Sequence, residues 1–391
     1  MIRSATSILF GLAALLAAPA QAAKSDFVRP TYAGAYQPQG TDERGLWMEI
    51  DEAERSIRDL PGVVKDEGLN AFVRSVLCRT VGDDRCAAAR IYVVQDAELN
   101  AGMYPNGAML VNTGLLVRLH SEAELATVLG HEFAHFEQRH TLKQFRSRRT
   151  GSDILAWVSL AGAAVNQNTG MIQNAIIGGF FSFDRAQETE SDLLAANFIR
   201  SSPYRLRASA VWKRAIEERD ALREERGLKR IRRLRPGLTE THPTNEQRFL
   251  YFSKLEAEAG DAGEDGLESY RTATAKVVQP VLAALTKGNE FGAADYIIKS
   301  RGDALGWDAP LLYARGELYR QRANPRDLAT ARGFFEQAST KPDAPAEAWR
   351  GLGLTAMRLG DVGAGKAALS EYMKRAPDAL DAKSIKLLLE N

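Results

Sequence analysis

Apolar residues recur every three or four positions between Ala123 and Gln138, which is the spacing of an amphipathic helix. The apolar positions are Leu125, Val128, Leu129, Phe133 and Phe136. No proline interrupts the segment, and Ser121 precedes it as a good N-cap, with Glu124 three residues later as in a capping box. The pattern therefore predicts a helix that begins close to Ser121.

A second pattern, between residues 100 and 116, combines a turn with a strand. Pro105 and Gly107 mark the turn, and the apolar run from Ala108 to Asn112 is typical of a short strand. Beyond residue 267 the pattern is helical and rich in alanine. We therefore predict an α+β fold class that is predominantly helical, with a small sheet in the first domain and an all-α second domain.

The second domain carries paired landmarks of a tetratricopeptide repeat, in which certain residue types recur at fixed offsets. The landmarks of the two copies are Gly316, Tyr319, Ala331, Phe335 and Pro342, then Trp349, Leu352, Gly353, Gly360 and Pro377. Small, acidic and glycine-rich residues favour a linker or a long turn over 257–267. The linker separates a first domain, 46–256, from a tetratricopeptide-like helical repeat domain, 268–391. A plain helical bundle is the alternative for the second domain.

The start of the chain has the pattern of a secretory signal peptide. Arg3 precedes an apolar run from Ile8 to Ala18, and Ala20-Gln21-Ala22 is a typical cleavage site. We expect residues 1–22 to be removed and residues 23–45 to form an extended N-terminal arm. The mature protein is then expected in an oxidising cell envelope, the bacterial periplasm.

Composition and charge limit which kinds of molecule the protein is expected to bind. Of the 391 residues, 45% are hydrophobic and 26% are charged, and the net charge is +1, so we expect a soluble globular protein with no nucleic acid partner. The apolar stretch 154–181 is interrupted at 166–170, which leaves too short a run to span a bilayer. Basic runs at 139–149 and 226–235 favour a solvated helical face, and peripheral contact with anionic lipid is the alternative.

The chain has two cysteines, Cys78 and Cys86, and their spacing is not that of a metal site. In an oxidising compartment we expect them to form a disulfide that closes a short loop. Two buried free thiols are the alternative.

Residues 131–135 read HEFAH, the H-E-x-x-H pattern of zinc peptidases. On a helix, His131 and His135 lie one turn apart, so both imidazoles can hold one metal ion. Glu132 lies beside the first histidine and can act as general base towards a water that the metal activates. A charged helix that happens to hold two histidines is the alternative. We predict one Zn²⁺ per chain.

A catalytic zinc site needs a third protein ligand, and residues 187–192 read QETESD. Glu188 and Asp192 are four residues apart and share one helical face, whereas Glu190 points elsewhere. The spacing favours Glu188 over Glu190 as the ligand. An ordinary acidic first turn of a helix is the alternative.

These segments resemble the family of zinc peptidases that includes HtpX and the CAAX prenyl proteases, whose downstream signature is E-x-x-x-D. The resemblance implies a gluzincin-type zinc peptidase domain, with Glu188 as third ligand and Asp192 supporting a histidine ligand. It extends to residues 100–116, where Asn106 replaces a glycine usual in the family, and to residues 241–248, which read THPTNEQR.

The same resemblance implies that His242 either caps the zinc or stabilises the tetrahedral intermediate, and Arg248 is a further candidate for the oxyanion. A lone loop histidine is often only a surface residue. The strand predicted from the sequence pattern could pair edge to edge with an extended substrate, and an ordinary hairpin strand is equally favoured. The strand residues concerned are Ala108, Met109, Leu110 and Val111.

The order of signal peptide, peptidase domain and repeats is similar to that of the periplasmic branch of this family. The resemblance implies a zinc endopeptidase that acts on unfolded or misassembled envelope proteins and aids the assembly of outer-membrane proteins. The repeats would then recruit the outer-membrane assembly machinery through a concave groove. One alternative is a chaperone or assembly scaffold with a latent protease site. The other is a protease that acts on other envelope substrates.

Overall fold

Four stretches of the chain are described by the computed structural model: residues 37–148, 183–231, 244–322 and 325–390. Within them the protein is predominantly helical with a three-stranded sheet, which confirms the predicted fold class. The predicted signal peptide, most of the N-terminal arm, the apolar stretch 154–181 and His242 lie outside the described residues. No helix of the described part is long and apolar enough to cross a membrane.

The sheet has the strand order β1-β3-β2. Its strands are β1 (Arg90–Val94), β2 (Ala101–Met103) and β3 (Ala108–Asn112). The central strand β3 runs parallel to β1 and antiparallel to β2, and all of its residues are buried. Gly107 makes the turn before β3 with φ at 90°, and a Cβ there would lie 2.2 Å from the Ala88 carbonyl oxygen. Only glycine fits this turn without a shift of the backbone.

The expectation that a substrate pairs with the edge of β3 is wrong, because β3 has no free edge. Its backbone is hydrogen-bonded to β1 on one side and to β2 on the other. The residues that the sequence pattern assigns to substrate binding are all buried: Ala108, Met109, Leu110 and Val111. In the part of the chain that the structure describes, no strand pairs with the outer edge of β2.

The first domain surrounds one central helix. Its helices are α1 (Gly40–Arg58), α2 (Glu67–Val81), α3 (Asp83–Cys86), α4 (Thr113–Arg118), α5 (Glu122–Glu137), α6 (His140–Arg148), α7 (Arg185–Arg200), α8 (Ala208–Glu225) and α9 (Asn245–Ala259). Helix α5 packs against α2, α7, α8 and β2, and Leu125, Leu129 and Phe133 on it are fully buried. The helix predicted from the apolar spacing is therefore confirmed, and it lies inside the domain core.

The N-terminus of α5 differs in one detail from a capping box. The Ser121 hydroxyl accepts the Glu124 backbone N–H at 3.1 Å, as expected for an N-cap. The Glu124 carboxylate accepts the N–H of His120 at 2.7 Å, one residue before the cap. Arg214 of α8 donates to the same carboxylate and balances its buried charge.

The structure joins Cys78 at the end of α2 to Cys86 in α3 by a disulfide. Reduction is expected to lower the free energy of unfolding by just under about 3 kcal/mol, since a closed loop this short restricts the unfolded chain only moderately. Urea unfolding with and without dithiothreitol measures this difference. In the control, the double variant Cys78→Ala and Cys86→Ala, the reductant should have no effect. Equal stability of the parent protein with and without reductant would contradict the prediction.

The second domain is a succession of helices that pack in consecutive pairs. Its helices are α10 (Leu267–Lys287), α11 (Phe291–Leu305), α12 (Ala309–Arg322), α13 (Pro325–Ser339), α14 (Ala346–Arg358), α15 (Val362–Arg375) and α16 (Ala382–Glu390). Gly316 of α12 and Gly351 of α14 both face the ring of Phe335 in α13, and a Cβ on them would lie 2.6 Å and 2.5 Å from it. Gly316 and Phe335 are two of the repeat landmarks, and they mark a close approach of helices.

The segment predicted as a linker, 257–267, is an ordered connection. Its first residues complete α9, and the Glu264 backbone pairs with residues 203–205. After it, the Tyr270 hydroxyl donates to the Leu116 carbonyl at 2.7 Å. Arg301 of α11 is 3% exposed, and it donates to the carbonyls of residues 116, 117 and 119 at the end of α4. The first two helices of the second domain therefore close the core of the first.

Candidate metal centre

Two buried histidines of α5 meet a buried glutamate of α7. The Nε2 atoms of His131 and His135 are 3.1 Å apart. The Glu188 carboxylate lies 3.6 Å from each of them, through Oε2 and Oε1 respectively. Asp184 caps α7 and places Glu188 in its first turn, where the helix dipole favours a negative charge. The structure thus brings together the three residues that the sequence singled out as ligands.

These separations fit a zinc ion. Zinc bonds to histidine nitrogen and carboxylate oxygen are about 2.0–2.2 Å, so neighbouring ligands on a tetrahedron are about 3.4 Å apart. The observed 3.1 and 3.6 Å bracket that value. Three ligands leave the fourth position for a water or substrate, as catalytic zinc sites do. The donor set of two imidazoles and one carboxylate therefore suits a catalytic zinc ion.

Asp192, four residues after Glu188, orients the first histidine. Its Oδ1 lies 2.8 Å from Nδ1 of His131, so the imidazole can donate that proton and present Nε2 to a metal. Burial alone would lower the pKa of His131, but the charge and hydrogen bond of Asp192, together with the charge of Glu132, raise that pKa above its usual value. The structure thus places Asp192 against His131, and its role in supporting a metal ligand stays a prediction.

Arg248 of α9 also binds Asp192. Its Nε donates to Asp192 Oδ2 at 2.8 Å, and its Nη1 lies 3.7 Å from Glu188 Oε2. The guanidinium stacks 3.5 Å above the ring centre of Trp212, which fixes its plane. Tyr251, one turn after Arg248, donates its hydroxyl to Asp192 as well. The Nη2 atom of Arg248 also donates to Asp192, so two of the three guanidinium nitrogens hold this carboxylate and Nη1 points towards Glu188.

Glu132 lines a cleft of about 180 Å³. Removal from bulk water raises the pKa of Glu132 to about 7, helped by the nearby Glu188 carboxylate and opposed by His131. A carboxyl group with a pKa near neutrality can both accept and return a proton at physiological pH. The cleft is lined by Leu99, Asn100, Ala101, Leu115, Thr127, Val128, His131, Glu132, Asp192, Val211, Trp212 and Arg248.

Sequence reasoning missed three side chains of this centre. Trp212 and Tyr251 touch Arg248 or Asp192, and His140 touches His135. Tyr251 had a detectable signal, since it lies three residues after Arg248 on the same helical face. Nothing in the local pattern identified Trp212, because its contact depends on how α8 packs. His140 lies five residues after His135, at the start of α6, so the helical spacing within α5 does not predict their contact.

Comparison with known proteins connects this geometry to peptidases. The sequence model of peptidase family M48 matches residues 63–256. The beta-barrel assembly-enhancing protease of Escherichia coli (strain K12) is 22% identical over 173 residues, which cover 41% of this chain and 35% of that protein. A Vibrio cholerae protein named "Putative beta-barrel assembly-enhancing protease" is 29% identical over 152 residues, which cover 36% of this chain and 31% of that protein.

A eukaryotic protein is similar over much the same share of the chain. The mitochondrial metalloendopeptidase OMA1 of Schizosaccharomyces pombe is 29% identical over 162 residues, which cover 41% of this chain and 44% of that protein. The chain thus matches less than half the length of each of these three relatives.

Proposed function

Because residues 63–256 form a domain of peptidase family M48, we propose that this metallopeptidase is a zinc-dependent endopeptidase that works in the quality control and assembly of outer-membrane proteins. The observation that carries the zinc chemistry is the set of ligand distances among His131, His135 and Glu188, with Glu132 beside it in an open cleft. The names of the bacterial relatives support the proposed substrate class.

The mechanism assigns one task to each side chain. His131, His135 and Glu188 would hold the ion, which supplies a Lewis acid and an activated water when bound. The Glu132 carboxylate removes the proton of the attacking water and delivers it to the leaving amine. Arg248, whose Nη1 lies 3.7 Å from the ligand carboxylate, is a candidate for the carbonyl oxygen. His242 remains a second candidate, outside the described residues.

We place the protein in the periplasm. The pattern of residues 1–22 supports export, and the disulfide between Cys78 and Cys86 suits an oxidising compartment. Unfolded or misassembled envelope proteins are the proposed substrates. The helical second domain is the proposed contact for an assembly partner, because stacked helical pairs present an extended surface.

Proteolysis of casein by the purified mature protein tests the enzymatic part of the proposal. Degradation should stop with the chelator 1,10-phenanthroline and return with added zinc. Affinity capture from envelope extracts with the Glu132→Gln variant then tests the substrate class. Enrichment of outer-membrane barrel proteins would support it, whereas enrichment of lipoproteins or inner-membrane peptides alone would replace it. Zinc-independent casein cleavage, or none at all, would contradict the proposed activity.

The substrate backbone is expected to pair with β2 instead of β3. Asn100 and Tyr104 hydrogen-bond to β3, at 3.0 and 2.7 Å, so the alternating residues Ala101 and Met103 direct their backbone groups to the opposite edge. Ala101 also lines the cleft beside His131. An extended peptide that added a strand here would pass over the metal ligands.

Ala101→Pro is therefore expected to lower kcat/KM for casein-derived peptides by about three- to tenfold, which is the value of one net hydrogen bond. Proline removes an N–H on the free edge and leaves the bonds to β3 in place. Ala101→Ser, which keeps the N–H, is the matched control, and zinc content should not change in either variant. Equal kcat/KM in the two variants would rule out pairing at this edge.

A further inference from the structure

A second chain of polar contacts lies behind His135, on the side away from Asp192. The Nδ1 atom of His135 is 2.9 Å from Nδ1 of His140, and Nε2 of His140 is 3.2 Å from Oε2 of Glu190. His140 is completely buried, whereas Glu190, the last residue in this series of contacts, is about half exposed. None of these contacts has a role in the mechanism given above.

The backbone between the two helices makes this contact possible. Arg139 has φ at 53°, a left-handed conformation that is uncommon for a residue other than glycine. The chain turns there, so that α6 begins with His140 after only two residues beyond the end of α5. Phe183 stacks on the His135 ring at 3.9 Å and shields the pair from water.

The proton positions follow from the direction in which His135 faces the other ligands. Its Nε2 points to His131 and Glu188, so a neutral His135 that binds a metal through Nε2 carries its proton on Nδ1. That proton is donated to Nδ1 of His140, which must be unprotonated to accept it. His140 then carries its own proton on Nε2 and donates it to Glu190.

Ser191 fits the same assignment. Its hydroxyl lies 3.3 Å from Nδ1 of His140 and can donate to that nitrogen as a second, weaker donor. The two histidine ligands are thus supported differently. His131 meets the carboxylate of Asp192 directly, whereas His135 reaches the carboxylate of Glu190 through a second imidazole.

We propose that His140 and Glu190 are positioning residues for His135: His140 accepts the Nδ1 proton of the ligand, and Glu190 fixes the tautomer of His140. The proposal rests on the metal site proposed above. Partners that orient a metal-bound imidazole hold its ring in place and increase its basicity, and their loss typically weakens metal binding by about ten- to a hundredfold. Without His140, the buried Nδ1–H of His135 would lose this acceptor.

The test measures zinc dissociation constants by competition with a fluorescent chelator, so it does not depend on proteolysis. His140→Leu keeps an apolar side chain in the site but no acceptor, and should raise the dissociation constant by about ten- to a hundredfold. His140→Asn places its Oδ1 where Nδ1 of the imidazole was and should restore affinity to within about threefold of the parent. The matched control is His120→Leu, since His120 is also buried but lies outside the metal centre.

A double-mutant cycle separates the relay from a direct charge effect of Glu190. Glu190→Ala should raise the dissociation constant about tenfold in the parent and less than about twofold in His140→Leu, because Glu190 acts through His140. Equal effects in both backgrounds would overturn the relay. A dissociation constant for His140→Leu within twofold of the parent would overturn it too. Absence of zinc binding in the parent would instead refute the proposed metal site.

The tautomers give an independent readout. The chain has five histidines, so NMR of the zinc-loaded protein labelled with ¹⁵N-histidine can resolve each ring. We expect His140 to carry its proton on Nε2 and His135 on Nδ1. A proton on Nδ1 of His140 would contradict the proposal, whatever the zinc affinities show.

Discussion

Replacement of Glu132 by glutamine is expected to lower kcat/KM for casein by about a hundred- to ten-thousandfold, the usual contribution of a general acid–base group. The amide cannot accept the proton of the attacking water. Zinc content should remain at about one ion per chain, because Glu132 is not among the three residues whose ligand atoms converge. Initial rates and metal analysis on the same preparation measure both quantities.

The matched control for this change is Glu98→Gln, which removes the same charge from an exposed glutamate on the loop before β2. Its turnover should equal that of the parent protein. Turnover of Glu132→Gln above about a tenth of the parent value would exclude the general-base role. Loss of zinc in the same variant would show that the carboxylate is a ligand.

Replacement of Glu188 by alanine is expected to remove zinc and, with it, all measurable proteolysis. One of three protein ligands disappears, and only two imidazoles remain to hold the ion. Zinc at a hundred times its dissociation constant should stabilise the parent by about 2.7 kcal/mol, whereas the variant should show no such gain at the same concentration. Thermal unfolding with and without zinc, together with metal analysis, gives the comparison.

Glu190→Ala is the comparison variant that tests which glutamate is the third ligand. Glu190 contacts His140 and lies outside the ligand set, so Glu190→Ala should still bind one zinc ion when the metal is in excess. If Glu190→Ala lost the metal while Glu188→Ala retained it, the assignment of the third ligand would be reversed.

The parts of the metal centre that local spacing determines were predictable from sequence. His131 and His135 lie one helical turn apart, and so do Glu188 and Asp192, so each pair shares a face wherever its helix packs. The choice of Glu188 over Glu190 followed from the same periodicity. In the structure, the four side chains lie within 2.8 to 3.6 Å of one another in pairs.

The position of β3 was not predictable in this way. Its sequence indicated a strand, but whether a strand lies at the edge or in the centre depends on which other segments pair with it. Here Arg90–Val94 supplies the second partner from upstream. For a similar reason the composition of the acidic, glycine-rich stretch 257–267 predicts a linker or a long turn without deciding between them. Its composition shows that it turns, but only the packing shows that it is held against residues 203–205.

The contacts of Tyr270 and Arg301 change how the molecule divides into independent units. Buried carbonyl groups at the end of α4, immediately before the metal-binding helix, receive their hydrogen bonds from α10 and α11. A catalytic fragment that ended at residue 256 would leave those carbonyls without these donors, in a core opened to solvent. A fragment that keeps these donors therefore extends at least through α11, and α12 packs into the same hydrophobic cluster as Val117 of α4.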